Sequence, residues 1–550
     1  MKNRVVWRSL VVVGACLPLV GAQHAAPPQS AMPGAALTPQ DSALHALNRL
    51  AYGPRPGDVP RVAAEGVMRW IDRQLSPDGI DDDRLAERER RFDILRYDRG
   101  DLAAMYTAAQ RERRERKLAA GQTADGSDSA GAQHAAPLPK QADPMIPKSN
   151  RLANEFADLA VVRAALSERQ LYEVMVDFWT NHFNVYFAKG ADRFLTPDYI
   201  EHTIRRRAMG KFQDLLIATA RSPAMLFYLD NWESVAPGTS PPFPLSARRR
   251  GGQGVRPVPK GINENYAREL LELHTLGVDG GYTQQDVIDV ARIFTGWSIE
   301  RPQQGGDFEF HDWAHDRGEK LVLGVWFEGG HDMDEGIRLL KLLANHPATM
   351  HHVSRKLCQR FVNDDPPDGC VDDAVAAWKH SSGDMGEVLR AIFHGPDFWA
   401  AANVRAKVKT PLEFVVSAAR AVAAEPDTSP RLAQVVARLG EPLYLHVAPD
   451  GYPEREAAWV NSGALLDRMN AAVALASGKL PGVTVVLDSI VSAGDPDQLI
   501  GAVNEKILSG TMSENTKQVL RRELAGIGDP AQARALAVGL AIGGPEFQRQ

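Results

Sequence analysis

The feature that most constrains the fold of this chain is its hydrophobic periodicity. Segment after segment, such as residues 171–185, places apolar residues at the i, i+3, i+4, i+7 spacing of one helix face. Hardly any segment alternates with the two-residue period of a half-buried strand. The sequence therefore predicts an all-α fold: a large multi-helix single domain over residues 41–550, with long loops and one small β-hairpin within 303–330.

The amino terminus has the pattern of a secretory signal peptide. Basic residues at positions 2, 4 and 8 precede an apolar stretch, and small residues at 20–22 suit cleavage after Ala22. We therefore predict a signal peptide over 1–22 and a periplasmic or secreted protein. The less favoured alternative is a lipid anchor on Cys16, because the apolar core before it is short. No later segment has the ~20 consecutive apolar residues of a membrane helix, so no transmembrane segment is predicted in the mature chain.

Two segments lack any periodicity and are rich in small residues or proline. Residues 23–40 are predicted to form a disordered leader, and residues 121–149 a flexible insertion within the helical domain. The formal charge of −6 and the pI near 6.2 indicate no basic surface for nucleic acid. We therefore predict no nucleic-acid partner.

Beyond the signal peptide the chain has two cysteines, Cys358 and Cys370, which stand twelve residues apart. Export would permit a disulfide between them. Two unpaired thiols are an equally open interpretation. Zinc binding is disfavoured, because the pair lacks the spacing of metal ligands.

Residues 261–300 are the densest run of polar and conformationally demanding residues, and they predict a helix, a tight turn and a second helix. The second helix begins with a TxxD capping box at 283–286. On the first helix, Glu264, Arg268 and Glu272 share a polar face at i, i+4 spacing. That face is either a solvent-exposed ladder contributing about 0.3–0.5 kcal/mol per pair, or the wall of a cleft in which Arg268 binds an anionic group.

Two histidines on predicted helices, His182 and His274, are candidates for a metal-binding or acid–base role. His274 lies on the apolar side of its helix, and Leu271 occupies the position where a ferritin-like di-metal site would carry Glu. A buried, hydrogen-bonded histidine is therefore favoured at 274. His182 follows Asn181 on an apolar stripe, where an unsatisfied polar pair would be costly, and this favours a specific task for it.

Three His-Asp dipeptides lie close together in the chain, at 311–312, 315–316 and 331–332. They would suit a divalent metal site or an acid–base pair. Loop residues that face different ways are the alternative that the sequence leaves open. The chain has no GxSxG, Walker or dinucleotide-binding motif, so no nucleophile can be chosen.

The run NENYARELLELHTLG, followed by YTQQDVIDVARIFTGW, resembles the core signature of the bacterial domain of unknown function 1800 (DUF1800) family. The likeness spans about residues 44–475. It implies a mostly helical exported protein with no settled activity, often accompanied by an exported partner of the DUF1501 type. Further segments that resemble the family are FWTNHF (178–183), RSPAMLFYLDN (221–231), HDRGEKLVLG (315–324), RKLCQRFV (355–362), KVKTPLEFVVSAAR (407–420) and GYPEREAAWVNSGALLDRMN (451–470).

The resemblance also implies a set of functional positions. Two positions depart from the family pattern: Thr180 stands where relatives carry another histidine, and His274 where they carry an aromatic residue. The first departure weakens any two-histidine metal site, and the second indicates a local replacement in the core. The positions that match the pattern are Trp179, Asn181, His182, Asn263, Glu264, Asn265, Arg268, Glu269, His315, Asp316 and Lys320.

The preferred hypothesis is an enzyme-like cleft between the helix of His182 and the helix that begins near Asn263. It would act on an envelope or scavenged substrate, by hydrolysis and with a divalent metal as a candidate cofactor. The alternatives are a non-catalytic binding or assembly protein and, more weakly, a haem-binding oxidoreductase with His182 as ligand. The predicted catalytic residues are His182, Glu264, Arg268, Glu269, His315 and Asp316, and the predicted substrate-binding residues are Trp179, Asn181, Asn263, Asn265 and Lys320.

Overall fold

Helices dominate the computed structural model, and the residues that it describes are 37–124, 145–239, 261–492 and 495–550. The predicted all-α fold is confirmed. The predicted signal peptide over 1–22 lies outside the described residues, as do most of the leader over 23–40 and most of the insertion over 121–149. The edges of the insertion belong to helices.

The helices before the short strands are α1 (Pro39–Arg49), α2 (Asp58–Glu65), α3 (Val67–Gln74), α4 (Asp83–Glu89), α5 (Arg99–Ala124), α6 (Met145–Leu166), α7 (Gln170–His182), α8 (Asp192–Asp198), α9 (Phe212–Ala220), α10 (Pro223–Tyr228), α11 (Glu264–Glu269) and α12 (Gln284–Ile293). The later helices are α13 (Met333–Ala344), α14 (Pro347–Phe361), α15 (Asp368–Ser381), α16 (Met385–His394), α17 (Pro396–Trp399), α18 (Pro411–Ala421), α19 (Arg431–Arg438), α20 (Glu456–Trp459), α21 (Ser462–Ala476), α22 (Pro496–Lys506), α23 (Glu514–Leu524), α24 (Pro530–Gly543) and α25 (Pro545–Gln548). Short 3₁₀ turns occur at Pro77–Gly79, Asp93–Arg96, Arg205–Arg207, Asn231–Glu233, Pro302–Gln304, Asp312–Ala314 and Leu487–Ser489.

The strands are only two or three residues long, and they pair as β1 with β2, β3 with β4 and β5 with β6, all antiparallel. The β3–β4 pair lies within 303–330, so the predicted small hairpin is confirmed. The other two pairs were not predicted, because strands this short show no periodicity. The strands are β1 (Trp297–Ile299), β2 (Phe308–Phe310), β3 (Lys320–Val322), β4 (Val325–Phe327), β5 (Glu425–Pro426) and β6 (Val483–Thr484).

The helix predicted from Glu264 onward changes its geometry halfway. After α11 the chain continues as a π-helix over Leu270–Thr275, and the Leu276 amide donates to the carbonyl of Leu271, five residues back, at 2.8 Å. The hydroxyl of Thr275 also donates to the Leu270 carbonyl at 2.6 Å, which adds a side-chain hydrogen bond to this turn. Single π turns inside helices occur frequently at functional sites.

Helix α7 lies in the core of the protein. Its Phe178 and Trp179 are buried, and Phe183 directly after it is buried as well. The predicted capping box of α12 is present, with Thr283 and Asp286 each bonding the other's backbone amide. Among the described residues, no helix is both long and apolar enough to cross a membrane.

Helices α14 and α15 are joined covalently. A disulfide connects Cys358 in α14 with Cys370 near the start of α15, and their Cα atoms are 6.2 Å apart. Both sulfurs belong to buried residues in the core. The cross-link therefore ties α15 to the helix that carries His352, Lys356 and Arg360.

Candidate functional site

The end of α7 holds a long segment over residues 441–459 against the helix core. The Asn181 side chain binds both backbone groups of Tyr452: its Oδ1 accepts from the amide at 2.6 Å, and its Nδ2 donates to the carbonyl at 2.8 Å. Just beyond α7, Asn184 Nδ2 donates to the Ala448 carbonyl at 2.7 Å. Asn181 therefore positions this segment through its backbone.

The 441–459 segment also contains a strained residue. Tyr444 has a φ of 61°, in the left-handed region that bulky side chains avoid. Its ring stacks on Phe156 at a centroid distance of 4.5 Å, and its carbonyl accepts from the Phe187 amide at 2.9 Å. Such a backbone conformation costs about 1–3 kcal/mol and persists where its surroundings enforce it, often at functional sites.

Between α7 and this segment lies a cavity of about 40 Å³, which is large enough for ordered water. We call it the Asp177 cleft. Its walls come from α7, α14, the start of α18 and the 441–459 segment. Its polar lining consists of Asp177, Thr180, Asn181, Asn184, Arg360, Thr410, Glu441, Tyr452 and Glu454.

Two carboxyl groups at this cleft hold their protons more tightly than usual. Burial raises the pKa of Asp177 to about 7, with Arg360 opposing the shift and Glu454 adding to it. Burial also raises the pKa of Glu441 to about 8, and the nearby Asp177 carboxylate contributes. A carboxyl group that keeps its proton near neutral pH can act as a general acid.

Glu413, at the start of α18, is the counterpart that stays ionised. Burial opposes its charge, but its ion pair with Arg360, the Thr410 amide and the Gln550 side chain outweigh burial and lower its pKa to about 2. Arg360 and Glu413 are both buried. The pair therefore supplies a fixed positive group at the wall of the cleft.

His182, one residue after Asn181, points into a separate cluster of three histidines. Its ring centroid lies 6.4 Å from that of His274 in the π-helix and 6.5 Å from that of His352 in α14. Its Nε2 is 3.2 Å from the His274 carbonyl and donates to it, which leaves Nδ1 without a partner. Nε2 of His274 and Nε2 of His352 are also buried without a hydrogen-bond partner.

The three imidazoles of this cluster are neutral at neutral pH. Burial lowers the pKa of His182 well below its usual value, that of His274 to about 3 and that of His352 to about 4. The positive charge of Lys356 adds to the shift of each one. His274 is a core histidine, as predicted, although its Nε2 is not hydrogen-bonded.

His315 and Lys320 meet at a buried carboxylate in α13. Glu335 Oε2 is 2.6 Å from Lys320 Nζ and 3.4 Å from His315 Nε2. His315 Nδ1 lies 2.9 Å from the Thr295 carbonyl and donates to it. These contacts join the hairpin to the end of α12 and to α13.

The three His-Asp dipeptides do not converge. Asp316 receives Nε and Nη2 of Arg292 at 2.8 and 3.1 Å, while Asp312 pairs with Arg317. His311 contacts Glu309 at 3.0 Å on the surface. In the part of the chain that the structure describes, no group of three or more His, Cys, Asp or Glu side chains is arranged to hold a metal ion.

The start of α11 faces solvent more than the interior. Asn263 caps the helix, with Oδ1 accepting from the Tyr266 amide at 3.0 Å, and its Nδ2 donates to the Leu229 carbonyl at 2.7 Å. Asn265 is exposed. Glu264 and Arg268 are joined through Gln284, whose amide bonds each of them at 2.8 Å.

Glu269 faces the 441–459 segment. Burial and the carboxylate of Glu272 raise its pKa, and Asp450 of that segment adds to the shift. We predicted a cleft between the helix of His182 and the start of α11. In the structure His182 instead contacts the π-helix that follows α11, through the His274 carbonyl. Of the predicted residues, the structure places Asn181 alone in the lining of the Asp177 cleft.

A family model described as a protein of unknown function, DUF1800, matches residues 45–549. The chain belongs to the DUF1800 family. The family match therefore continues beyond residue 475, the position at which the resemblance found in the sequence ended. No curated protein and no solved structure matches the chain.

Four of the segments that resemble the DUF1800 family converge on the Asp177 cleft, whereas the core signature over 263–297 does not reach it. Residues 178–183, 355–362, 407–420 and 451–470 each contribute to its lining or to the Arg360–Glu413 pair. Sequence analysis missed Asp177, Arg360 and Glu413, which lie in or next to these segments. The convergence could have been suspected from the segments themselves, but their mutual positions depend on the packing of α7, α14 and α18.

The close approach of Gly451 to α7 gives a direct test of how the 441–459 segment is held. Gly451 has a φ of 74°, and a Cβ there would lie 2.3 Å from the Asn181 carbonyl oxygen. We expect Gly451→Ala to lower the free energy of unfolding by about 2–4 kcal/mol, from backbone strain and displacement of the segment. Urea unfolding monitored by circular dichroism measures the change.

Gly440→Ala is the matched control for this substitution. Gly440 also has a positive φ, of 111°, but a Cβ there would meet no atom within 4 Å. We expect Gly440→Ala to lower the free energy of unfolding by about 1–2 kcal/mol, from backbone strain alone. Equal losses for the two variants would contradict the view that Gly451 is needed for contact with Asn181.

Proposed function

We propose that this DUF1800 protein is an exported hydrolase whose acid–base groups are Asp177 and Glu454. The observation that carries the proposal is that Asp177 keeps a proton up to about pH 7 at a water-sized cavity, beside Arg360 and the Glu454 carboxylate. A general acid works best when its pKa lies near the pH of operation. The predicted signal peptide supports export.

In this mechanism Asp177 donates a proton to the leaving group, and Glu454 takes one from the attacking water. Arg360, held by Glu413, offers a positive charge to the oxygen on which negative charge develops. Asn181 fixes the backbone of Tyr452, two residues before Glu454, and so acts as a positioning residue. The substrate class we propose is a polymer of the cell envelope or one scavenged from outside.

The variants Asp177→Asn and Glu454→Gln are expected to lower the hydrolysis rate about 10²- to 10⁴-fold without loss of helical structure. The wild-type rate should fall as the pH rises past about 7, because Asp177 then loses the proton that it donates. The measurement is product release from purified peptidoglycan, polysaccharide and protein substrates by the full chain.

Asp158→Asn is the matched control. Asp158 is a fully buried carboxyl in α6 whose pKa burial raises to about 8, but it does not line the cleft. It should leave the rate unchanged. Full activity in Asp177→Asn, or no release from any of the three substrate classes, would rule out the hydrolase.

A non-catalytic binding or assembly protein is the second candidate. Several predicted site residues make contacts that stabilise the fold, and this favours the second candidate. Asn263 caps α11, Asn181 holds the 441–459 segment, and Lys320 pairs with Glu335. Capture of a co-exported DUF1501-type partner by the full chain, unaffected by Asp177→Asn, would support it. A divalent metal and haem stay predictions, which elemental analysis and an absorption spectrum of the purified protein test.

A further inference from the structure

A lysine, a glutamate and a histidine meet in the interior, between the β3–β4 hairpin and α13. Lys320 Nζ lies 2.6 Å from Glu335 Oε2, and His315 Nε2 lies 3.4 Å from the same oxygen. The side chains of all three residues are at most 2% exposed. The amine and the imidazole therefore share one buried carboxylate oxygen.

Two aromatic residues pack against this cluster. Phe327 is buried and lies directly opposite Lys320 in the hairpin. The ring of Phe310 packs against that of His315, with a distance of 5.4 Å between the ring centroids. An ion pair in such surroundings loses hydration that the attraction between its charges repays only in part. A reaction that removed both charges would relieve that cost.

The Lys320–Glu335 pair differs from the other lysine–carboxylate pairs of the described residues. In each of the others the side chain of the carboxylate is at least 20% exposed. In the most buried of them, Lys407 with Asp364, the second carboxylate oxygen accepts from a backbone amide at 2.6 Å. In Glu335 the second oxygen, Oε1, is buried without a hydrogen-bond partner.

We propose that Lys320 and Glu335 form an intramolecular isopeptide bond, which links strand β3 covalently to helix α13. The lone pair of Lys320 Nζ attacks Cδ of Glu335, and a C–N bond forms. The Cδ–Oε2 bond then breaks. Of the three hydrogens of the ammonium, one stays on the amide nitrogen and two leave with Oε2 as water. The product is a neutral amide, so neither charge stays buried.

His315 moves one of these two protons. Its Nδ1 donates to the Thr295 carbonyl at 2.9 Å, so its Nε2 carries a lone pair beside Oε2. Nε2 takes a proton from the ammonium, which frees the lone pair of Nζ, and then gives that proton to the departing Oε2. The second proton passes directly from Nζ to Oε2, which already accepts its hydrogen bond.

The fold supplies what amide formation needs. Reacting groups held in contact have an effective concentration on the order of 10⁵–10⁸ M, and burial keeps away the water that would reverse the reaction. None of the three residues lines the Asp177 cleft. The cross-link and the proposed hydrolase are therefore independent, and either can exist without the other.

The test is peptide mapping of the purified, denatured full chain by mass spectrometry. Trypsin cuts after a lysine but not after an acylated one, so a linked Lys320 leaves residues 318–338 in one peptide. We expect that peptide to be lighter than its sequence by one water. Fragmentation should give no backbone fragments from within residues 320–335, because the cross-link closes them into a loop. Peptides 318–320 and 321–338 at their full masses would overturn the proposal.

Lys320→Arg is the control variant, since it keeps a positive charge but removes the amine, and it should show no loss of water in this region. The pair of Lys407 and Asp364 is the internal control. Its carboxylate is partly exposed and it has no imidazole beside it, so trypsin should cut after Lys407 as usual. A loss of water in the Lys320→Arg variant would show that the wild-type mass change does not come from this bond.

His315→Gln tests the proton transfer. We expect cross-linking to slow about 10²- to 10⁴-fold, measured as the linked fraction of protein collected at intervals after synthesis. Cross-linking at the wild-type rate would overturn the role assigned to His315. The peptide map of the wild type decides whether the bond exists, even where a variant does not fold.

Discussion

Replacing Arg360 with methionine is expected to lower the free energy of unfolding by about 3–5 kcal/mol, because it leaves Glu413 as an uncompensated buried charge. Arg360 and Glu413 are each at most 6% exposed in their side chains. The hydrogen bonds from Thr410 and Gln550 to Glu413 remain in the variant, but they carry no full positive charge. Urea unfolding at neutral pH measures the loss.

The double variant Arg360→Met/Glu413→Gln should recover most of that loss. With both charges gone no ion remains buried, and replacing a whole buried pair is often close to neutral. The control is Arg521→Ala, which breaks a surface pair with Asp497 and should leave the free energy of unfolding nearly unchanged. A double variant as unstable as Arg360→Met would show that packing, rather than the buried charge, causes the loss.

The second large effect is a loss of stability on acidification that originates in the histidine cluster. In the unfolded chain these histidines bind protons below about pH 6.5, whereas in the folded chain His274 does so only near pH 3 and His352 near pH 4. Between these values the unfolded state binds more protons, so stability rises with pH and falls as the pH is lowered. One such histidine is worth about 2 kcal/mol between pH 7 and pH 5.

His274→Phe is expected to remove the part of this pH-dependent stability loss that His274 causes. The phenylalanine ring should fill the space that the imidazole occupies in the core. Buried carboxyls with raised pKa values, such as Asp177, contribute the opposite slope. The comparison with the wild type therefore isolates the histidine. Urea midpoints at pH 7 and pH 5 measure it. An unchanged difference between the two pH values in His274→Phe would contradict this origin.

Much of the helical architecture could be predicted because it rests on local rules. The apolar stripe of α7 and the capping box of α12 are set by residues three or four positions apart, and both are present in the structure. The π-helix over Leu270–Thr275 could not be predicted in this way. The position of the π-helix depends on which backbone carbonyl oxygens accept hydrogen bonds from Thr275 and from the residues packed around it. A single sequence does not reveal these contacts.

The candidate site was predictable only in part. The family resemblance selected Asn181 and His182. Asn181 hydrogen-bonds the backbone of Tyr452, and His182 has a buried ring nitrogen without a hydrogen-bond partner. Asp177 was missed because it is one of two carboxylates, with Glu173, on a largely apolar helix, a pattern that predicts solvated residues. Its raised pKa comes from burial by elements far away in the chain.

The sequence by itself determined the helical class, the small hairpin and the DUF1800 family, since these depend on periodicity and on contiguous motifs. The tertiary structure decided which polar residues share a site. It brings α7, α14 and α18 together around the Asp177 cleft, and it places His182 beside His274 and His352. Proton affinity and reactivity depend on desolvation and on charges brought near by packing, and neither is encoded by residue spacing alone.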